Sequence, residues 1–202
     1  GLNNSEIGSH GIISVSCRDY RLILFTDVGL DGIAAHALRS CIKNEIWERI
    51  PRDFNPEEIL REVTIVLSSM QKSFEKFKGI NWLLCIDDFN ERIYYKSKMS
   101  VFTFSNGLVE EVGSEFDVNS PDNKGLKIAS SSSVFVCSQS MFEQLNESGT
   151  KPYLKARIIQ ILKTKSVEKQ HIIANEILTD FEAWRGGMDL FNDIEFYIWN
   201  HE

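Results

Sequence analysis

Apolar and polar residues follow one another along the chain in blocks, and each block predicts a set of strands or helices. Residues 12–17 and 22–26 are apolar runs around a polar turn, a pattern typical of a β-hairpin. Apolar residues then recur every three or four positions over 33–50, which predicts a helix. A second helix is predicted to begin after Asn55, a suitable N-cap, and to run to a C-terminal cap at Gly79.

The rest of the chain continues with a block of strands and then a block of helices. Short apolar runs predict strands at 82–86, 92–95, 101–104, 108–109 and 134–137. Ser140 and Glu143 have the spacing of a capping box at the start of a short helix. Longer helices are predicted over 153–165 and 167–184, and a closing strand over 194–199.

This order of blocks favours an α+β fold over a doubly wound parallel sheet, because helices and strands do not alternate. With 202 residues and neither repeat nor linker, the chain is expected to form one domain over 1–202. The first residue is Gly rather than Met, so we expect this domain to have been excised from a longer chain.

The composition argues against several classes of protein and partner. A net charge of −7 argues against nucleic acid, whose phosphates need a basic surface. No window of about 18 apolar residues predicts a membrane span. The four cysteines lie far apart without the spacing of a zinc site, so we predict buried, reduced thiols and a cytoplasmic location.

One helix is basic within this acidic chain. The predicted helix over 153–165 carries four cations: Lys155, Arg157, Lys163 and Lys165. Two interpretations stay open, a solvated helix face and a surface for an acidic partner.

The candidate chemistry lies at the end of the second predicted strand. The sequence contains no phosphate-binding loop, dinucleotide fingerprint, zinc-protease helix or nucleophile elbow. Asp27-Val28-Gly29-Leu30-Asp31-Gly32 instead joins a strand to a helix through an acidic, glycine-rich turn. A carboxylate beside glycines allows close approach of a hard metal ion, whereas Asp27 and Asp31 as turn and N-cap residues explain the same pattern structurally.

With the whole order of elements, this turn resembles the metal-dependent serine/threonine phosphatases of the protein phosphatase 2C type. The similarity is to the bacterial branch of sporulation stage II E and stress sigma-factor regulators, in which a strand ends in Asp-Val-Ser-Gly-His-Gly or Asp-Gly-x-Gly-x-Gly. Thr26 to Ala35 is similar to that element. Segments 80–95, 132–141 and 192–198 look like the family's middle hairpin, its Thr-Asp-Gly-Leu strand and its closing Asp-Asp strand.

The resemblance covers nearly the whole chain in element order. It implies a four-layer αββα sandwich, with two largely antiparallel β-sheets flanked by helix pairs. It also implies two Mn²⁺ or Mg²⁺ ions, held by aspartates, that activate a bridging water for attack on a phosphoserine. Asp27 matches the aspartate that bridges the two ions.

The other matched positions depart from the family pattern. His10 lies near the expected upstream carboxylate, Gln139 stands for the aspartate of Thr-Asp-Gly-Leu, and Asn192 replaces the first closing aspartate. Only Asp193 is left of that closing pair. Because the negative charge that offsets dehydration of the ions is largely missing, the metal centre is predicted to be degenerate.

The favoured interpretation is therefore a regulatory pseudophosphatase without a metal cofactor. It would bind a protein partner, or other domains of the same chain, through the face around Asp27, Gly29 and Asp31. The first alternative is a divergent, active phosphatase that binds Mn²⁺ or Mg²⁺ with Asp27 and, in a shifted register, His10, Asp31 and Asp193. The second is an unrelated α+β ligand-binding domain.

Overall fold

A computed structural model of the chain describes residues 10–28, 32–73, 80–87, 92–97, 99–112, 126–127, 132–190, 194 and 196–199. Contacts divide the chain into two compact units, Gly1–Lys98 with Glu115–Ile128 and Met99–Ser114 with Ala129–Glu202. The elements follow in the order β1 (His10–Ser16), β2 (Arg21–Asp27), α1 (Gly32–Arg49), α2 (Pro56–Ser73), β3 (Asn81–Asp87), β4 (Arg92–Ser97), β5 (Ser100–Ser105), β6 (Leu108–Glu111), β7 (Leu126–Lys127), β8 (Ser133–Cys137), α3 (Ser140–Glu143), α4 (Lys155–Lys165), α5 (Gln170–Arg185) and β9 (Phe196–Trp199).

The first unit is a five-stranded sheet with two helices packed against it. Its strands run in the order β1-β2-β3-β4-β7, and every neighbouring pair is antiparallel. The predicted apolar stripe of α1 is confirmed, because the helix buries Ala35, Leu38, Ile42 and Ile46 against the sheet and α2. At the start of α2, the Glu58 N–H donates to Asn55 Oδ1 at 3.3 Å, which confirms the predicted N-cap.

The second unit repeats this plan with four strands in the order β6-β5-β8-β9, again all antiparallel. The turn between β5 and β6 uses Asn106 and Gly107, whose φ angles of 48° and 80° are those of a tight hairpin. Apolar side chains of α4 and α5, among them Ile158, Leu162 and Ile177, are buried in one core with β5 and β8. The predicted helix pair over the second set of strands is confirmed.

Three local predictions are wrong. The helix predicted from Tyr153 begins at Lys155, because Leu154 is extended with φ −88° and ψ 135°. Ser140 is the first residue of α3 and not its N-cap, since the residue before the helix is Gln139. Cys85 and Cys137 are buried as predicted, but Cys17 is half-buried and Cys41 is exposed on α1.

The α+β architecture of two antiparallel sheets, each with its own pair of long helices, is confirmed. The C-terminal cap predicted at Gly79 lies outside the described residues, because the description of α2 ends at Ser73.

Candidate functional site

Asp27 is the last residue of β2, in the middle of three adjacent strands. Its Cα register partners are His10 at the start of β1 and Asn81 at the start of β3. Because neighbouring strands are antiparallel, the end of β2 lies beside the beginnings of β1 and β3. The sheet thus brings three polar residues, far apart in sequence, into one row across the ends of these strands.

The alternation along β2 places the Asp27 side chain on the sheet face away from α1 and α2. Leu22 and Leu24 are fully buried in the core beneath those helices. Successive side chains of a strand point to opposite faces, so Asp27 shares the other face with Ile23 and Phe25. Asp27 itself is partly exposed.

A side-chain amide contacts Asp27. Asn81 Nδ2 donates a hydrogen bond to Asp27 Oδ2 at 3.3 Å. An amide N–H stabilises the charged form of a carboxylate and orients it. Through Nδ2, Asn81 acts as a positioning group for the Asp27 carboxylate, because the amide nitrogen has no lone pair to offer a metal ion.

The other carboxylate of these two strands lies at their far end. Asp87, the last residue of β3, is the register partner of Arg21 and forms an ion pair with its guanidinium at 3.2 Å. Its side chain is only 5% exposed, so this is a buried, paired charge with a structural role. Six residue steps of a strand separate it from the level of Asp27, about 20 Å, so the two carboxylates cannot share a metal ion.

Gln139 lies two residues after the end of β8 and directly before α3, in the second unit. Its side chain is exposed, and its backbone already has helical angles of φ −62° and ψ −31°. The neighbouring hydroxyls of Ser138 and Ser140 hydrogen-bond to each other at 2.8 Å. The end of β8 therefore presents an uncharged amide at the position where the phosphatase resemblance expects an aspartate.

Several predicted site residues fall outside this description. Gly29, Asp31, Asn192 and Asp193 are not among the described residues, and for His10 only the backbone is described. Across the described ranges, no group of three or more His, Cys, Asp or Glu side chains is arranged to hold a metal ion. Among the helices that the structure describes, none is long and apolar enough to cross a membrane.

The described donors do not fit a dinuclear Mg²⁺ or Mn²⁺ centre. Such a centre needs several carboxylate oxygens, because each ion gives up hydration only in exchange for negatively charged ligands. Asp27 supplies one carboxylate, while Asn81 and Gln139 are uncharged.

A polar cluster that sequence patterns missed joins α4 to α5 in the second unit. Asp180 accepts hydrogen bonds from Tyr153 Oη at 2.8 Å and from Arg157 Nε at 2.8 Å, and Arg157 Nη2 reaches its other oxygen. The Arg157 guanidinium also lies 4.9 Å from the ring centroid of Trp184. Hydrogen bonds from Arg157 hold the pKa of the Asp180 carboxyl below its usual value, and burial raises the pKa of Tyr153.

This cluster bears on the basic helix predicted over 153–165. Arg157 is paired with Asp180, and Lys155 forms an ion pair with Glu111 of β6. Two of the four cations that distinguish this helix are thus neutralised by neighbouring elements. Recognition of an acidic partner through this helix stays a prediction that would depend mainly on Lys163 and Lys165.

No protein-family model and no curated protein sequence matches the chain. Solved structures do. The PP2C domain of SiaA from Pseudomonas aeruginosa is similar with a TM-score of 0.75 and 16% identity, over 97% of this chain and 82% of that one. The phosphatase domain of the cell fate determinant SpoIIE from Bacillus subtilis is similar with a TM-score of 0.66 and 13% identity, over 95% and 84%.

A third similar structure contains the RsbU and RsbW domains of a Mycobacterium tuberculosis protein. Its TM-score is 0.66 at 12% identity, over 98% of this chain and 56% of that one. These likenesses show that the chain has the fold of PP2C-type phosphatase domains, as the sequence resemblance implied. The alternative of an unrelated α+β ligand-binding domain is wrong. At these identities the likeness establishes the fold, and the activity has to be argued from the side chains.

Proposed function

We propose that this chain is a phosphatase-like regulatory domain that has lost its dinuclear metal centre and binds a protein partner. The partner is a separate protein or another domain of the same, longer chain. The proposed contact face surrounds Asp27, Gly29 and Asp31, where the phosphatase fold would otherwise receive its substrate. Mn²⁺ or Mg²⁺ is not a cofactor in this proposal.

The observation that carries the proposal is the environment of Asp27. The only carboxylate that matches the family pattern among the described residues is held by an amide N–H from Asn81. At the position matched to a second carboxylate, the chain has the exposed amide of Gln139. At the position matched to a third carboxylate, the sequence has Asn192. A site that retains one carboxylate attracts a divalent cation weakly, yet it presents a well-oriented hydrogen-bond acceptor to a protein partner.

The fold and the charge support a role in protein recognition. The similar Mycobacterium tuberculosis structure holds RsbU and RsbW domains in one protein, which is a precedent for this fold beside a second domain. The net charge of −7 disfavours nucleic acid as the partner.

The second candidate is an active Mn²⁺- or Mg²⁺-dependent protein serine/threonine phosphatase. It is favoured by one observation, the partly exposed Asp27 carboxylate at a strand end in a fold that phosphatases share. Asp27 would hold the metal together with His10, Asp31 and Asp193. The bound metal would supply an activated water for attack on a phosphoserine.

Calorimetric titration with Mn²⁺ separates the two candidates. The native chain and the variants Asp27→Ala and Asp19→Ala are titrated, and hydrolysis of an aryl phosphate is followed in parallel. Asp19 is the matched control, because it is an exposed aspartate in the turn at the opposite end of β2. The proposal expects the same weak, unsaturated heats for all three and no turnover. Saturable binding with turnover that only Asp27→Ala abolishes would establish the phosphatase instead.

The partner face is tested by site-specific photo-crosslinking in the organism of origin. A photoreactive residue at position 81, beside Asp27, is expected to capture one protein that the same residue at position 19 does not capture. Identical capture patterns at both positions would contradict the proposed face.

A further inference from the structure

The turn between β5 and β6 contains the one Asn–Gly step of the sequence, Asn106-Gly107. Both residues have positive φ, and the strands pair through Ser105 and Leu108 on either side of them. Two left-handed residues between paired strands form a type I′ turn, for which Asn–Gly is a preferred sequence. Asn106 is exposed and Gly107 is half-buried. Asn106 therefore combines a defined backbone conformation with a side chain in solvent.

Asn–Gly is also the dipeptide that most readily loses its side-chain amide, because glycine has no Cβ to shield its backbone nitrogen. The Gly107 nitrogen attacks Asn106 Cγ and forms a C–N bond. The side-chain nitrogen leaves as ammonia and takes with it the proton of the Gly107 N–H. Water then opens the five-membered imide at either carbonyl, which gives aspartate or isoaspartate. The reaction needs no reactant besides water.

The folded turn holds Asn106 away from the geometry of this reaction. Ring closure requires the Gly107 nitrogen to eclipse Asn106 Cβ across the Cα–C bond. The first central residue of a type I′ turn has ψ of about +30°, which is far from that arrangement. Asn106 therefore reacts only in molecules whose turn has opened and whose ψ at Asn106 has rotated.

A side chain from another element holds the attacking nitrogen. The Gly107 N–H donates to Ser166 Oγ at 2.6 Å, across 59 positions of the sequence. Ser166 is the C-cap of α4, and its hydroxyl donates in turn to the Lys163 carbonyl oxygen at 3.5 Å. The hydroxyl thus joins the end of α4 to the turn. An opening that frees the Gly107 nitrogen has to break this contact.

We propose that Asn106 is a site of spontaneous deamidation whose rate in the folded chain is controlled by the Ser166 hydroxyl. The rate follows the fraction of molecules in which the turn is open. Loss of one hydrogen bond raises such a fraction about two- to tenfold. Isoaspartate adds a methylene group to the backbone, so the modified turn no longer fits the two-residue connection between Ser105 and Leu108.

Mass spectrometry of the chain, incubated for days at mildly alkaline pH, measures the rate. Cleavage after glutamate releases residues 92–110, in which Asn106 is the only asparagine, so a change of amide to carboxyl mass in this peptide reports on Asn106 alone. The folded chain is expected to react more slowly, by about tenfold or more, than the same chain unfolded in guanidinium chloride. Ser166→Ala is expected to raise the rate of the folded chain about two- to tenfold.

Thr164→Ala is the matched control, because it removes a hydroxyl two positions before Ser166. The Thr164 hydroxyl donates within α4, to the carbonyl oxygens of Gln160 and Ile161, so the variant is expected to react at the native rate. Thermal unfolding confirms that both variants fold. Equal rates in the folded and unfolded native chain, no acceleration by Ser166→Ala, or equal acceleration by Thr164→Ala would each overturn the proposal.

Discussion

Asn81 and Asp27 are register partners on β3 and β2, and their side chains are joined by a 3.3 Å hydrogen bond in which the amide donates. This contact orients the carboxylate at the candidate site without adding negative charge to it. The proposed function depends on this pair, because the contact holds the one matched carboxylate among the described residues.

Replacing Asn81 with Asp places two carboxylates face to face. We expect Asn81→Asp to lower the free energy of unfolding at pH 7 by about 1 kcal/mol, because like charges directly opposite across strands repel. The loss should shrink toward pH 4, as one carboxylate of the pair takes up a proton. Urea unfolding at the two pH values measures both effects.

Asn81→Ala is the control for that variant, because it removes the hydrogen bond without adding charge. At pH 7, Asn81→Ala should lower the free energy of unfolding by less than Asn81→Asp does. This smaller loss should not shrink toward pH 4. A pH-independent loss in Asn81→Asp would mean that the two side chains do not face each other.

Much of the fold follows from local patterns. The stripe of Ala35, Leu38, Ile42 and Ile46 predicts α1, and Asn55 predicts the start of α2, because helical period and capping depend on residues a few positions apart. The pattern extends the predicted helix to Tyr153 because the buried ring of this residue fits the apolar stripe, although the chain at Leu154 is extended. A buried ring fits an apolar pattern whether the backbone is helical or extended, so the pattern alone does not fix the first residue of the helix.

The site was less predictable for a physical reason. Asp27 stands out because glycines and a second acid follow it, all within six residues. Asn81, its hydrogen-bond partner, is 54 positions away, and its role depends on the register between β2 and β3. A shift of one residue would turn the Asn81 side chain to the other face of the sheet, and no local pattern fixes that register. The same is true of Asp180 and Arg157, which lie on different helices.

The Asp180 cluster should stabilise the packing of α4 on α5. We expect Asp180→Asn to lower the free energy of unfolding at pH 7 by about 1 to 2 kcal/mol, because a charge-assisted, bidentate contact to Arg157 is lost. The pKa of Asp180 is lowered in the folded chain, so its contribution is present above the carboxyl's ordinary pKa and is lost as the pH falls through the folded value. The difference between native chain and variant should therefore vanish in acid.

Glu182→Gln is the matched control on the same helix. Glu182 pairs with Arg185 within α5, and its side chain is 46% exposed, so the loss should stay below about 0.5 kcal/mol. Denaturant unfolding of the two variants across the acid range checks the comparison. Equal losses at pH 7 would contradict a special role for the Asp180 cluster.

Gly186 ends α5 in a conformation that other residues rarely adopt. Its φ is +58°, and a Cβ built there would lie 2.9 Å from Glu147 Cβ. We expect Gly186→Ala to lower the free energy of unfolding by about 1 to 2 kcal/mol through strain and contact. Gly187→Ala should be nearly neutral, because a Cβ at Gly187 meets open space. Thermal unfolding of the two variants measures this difference. Equal unfolding midpoints would show that the turn at Gly186 accommodates the added Cβ without loss of stability.

The central claim is that uncharged residues at matched positions have removed the metal centre. The most direct measurement is Mn²⁺ affinity, by calorimetry, of the native chain against the double variant Gln139→Asp with Asn192→Asp. Restoring two carboxylates should raise the affinity at least tenfold, and adding Asp27→Ala should cancel the gain. Native affinity already equal to that of the double variant, and abolished by Asp27→Ala alone, would show that the centre is intact and would contradict the account.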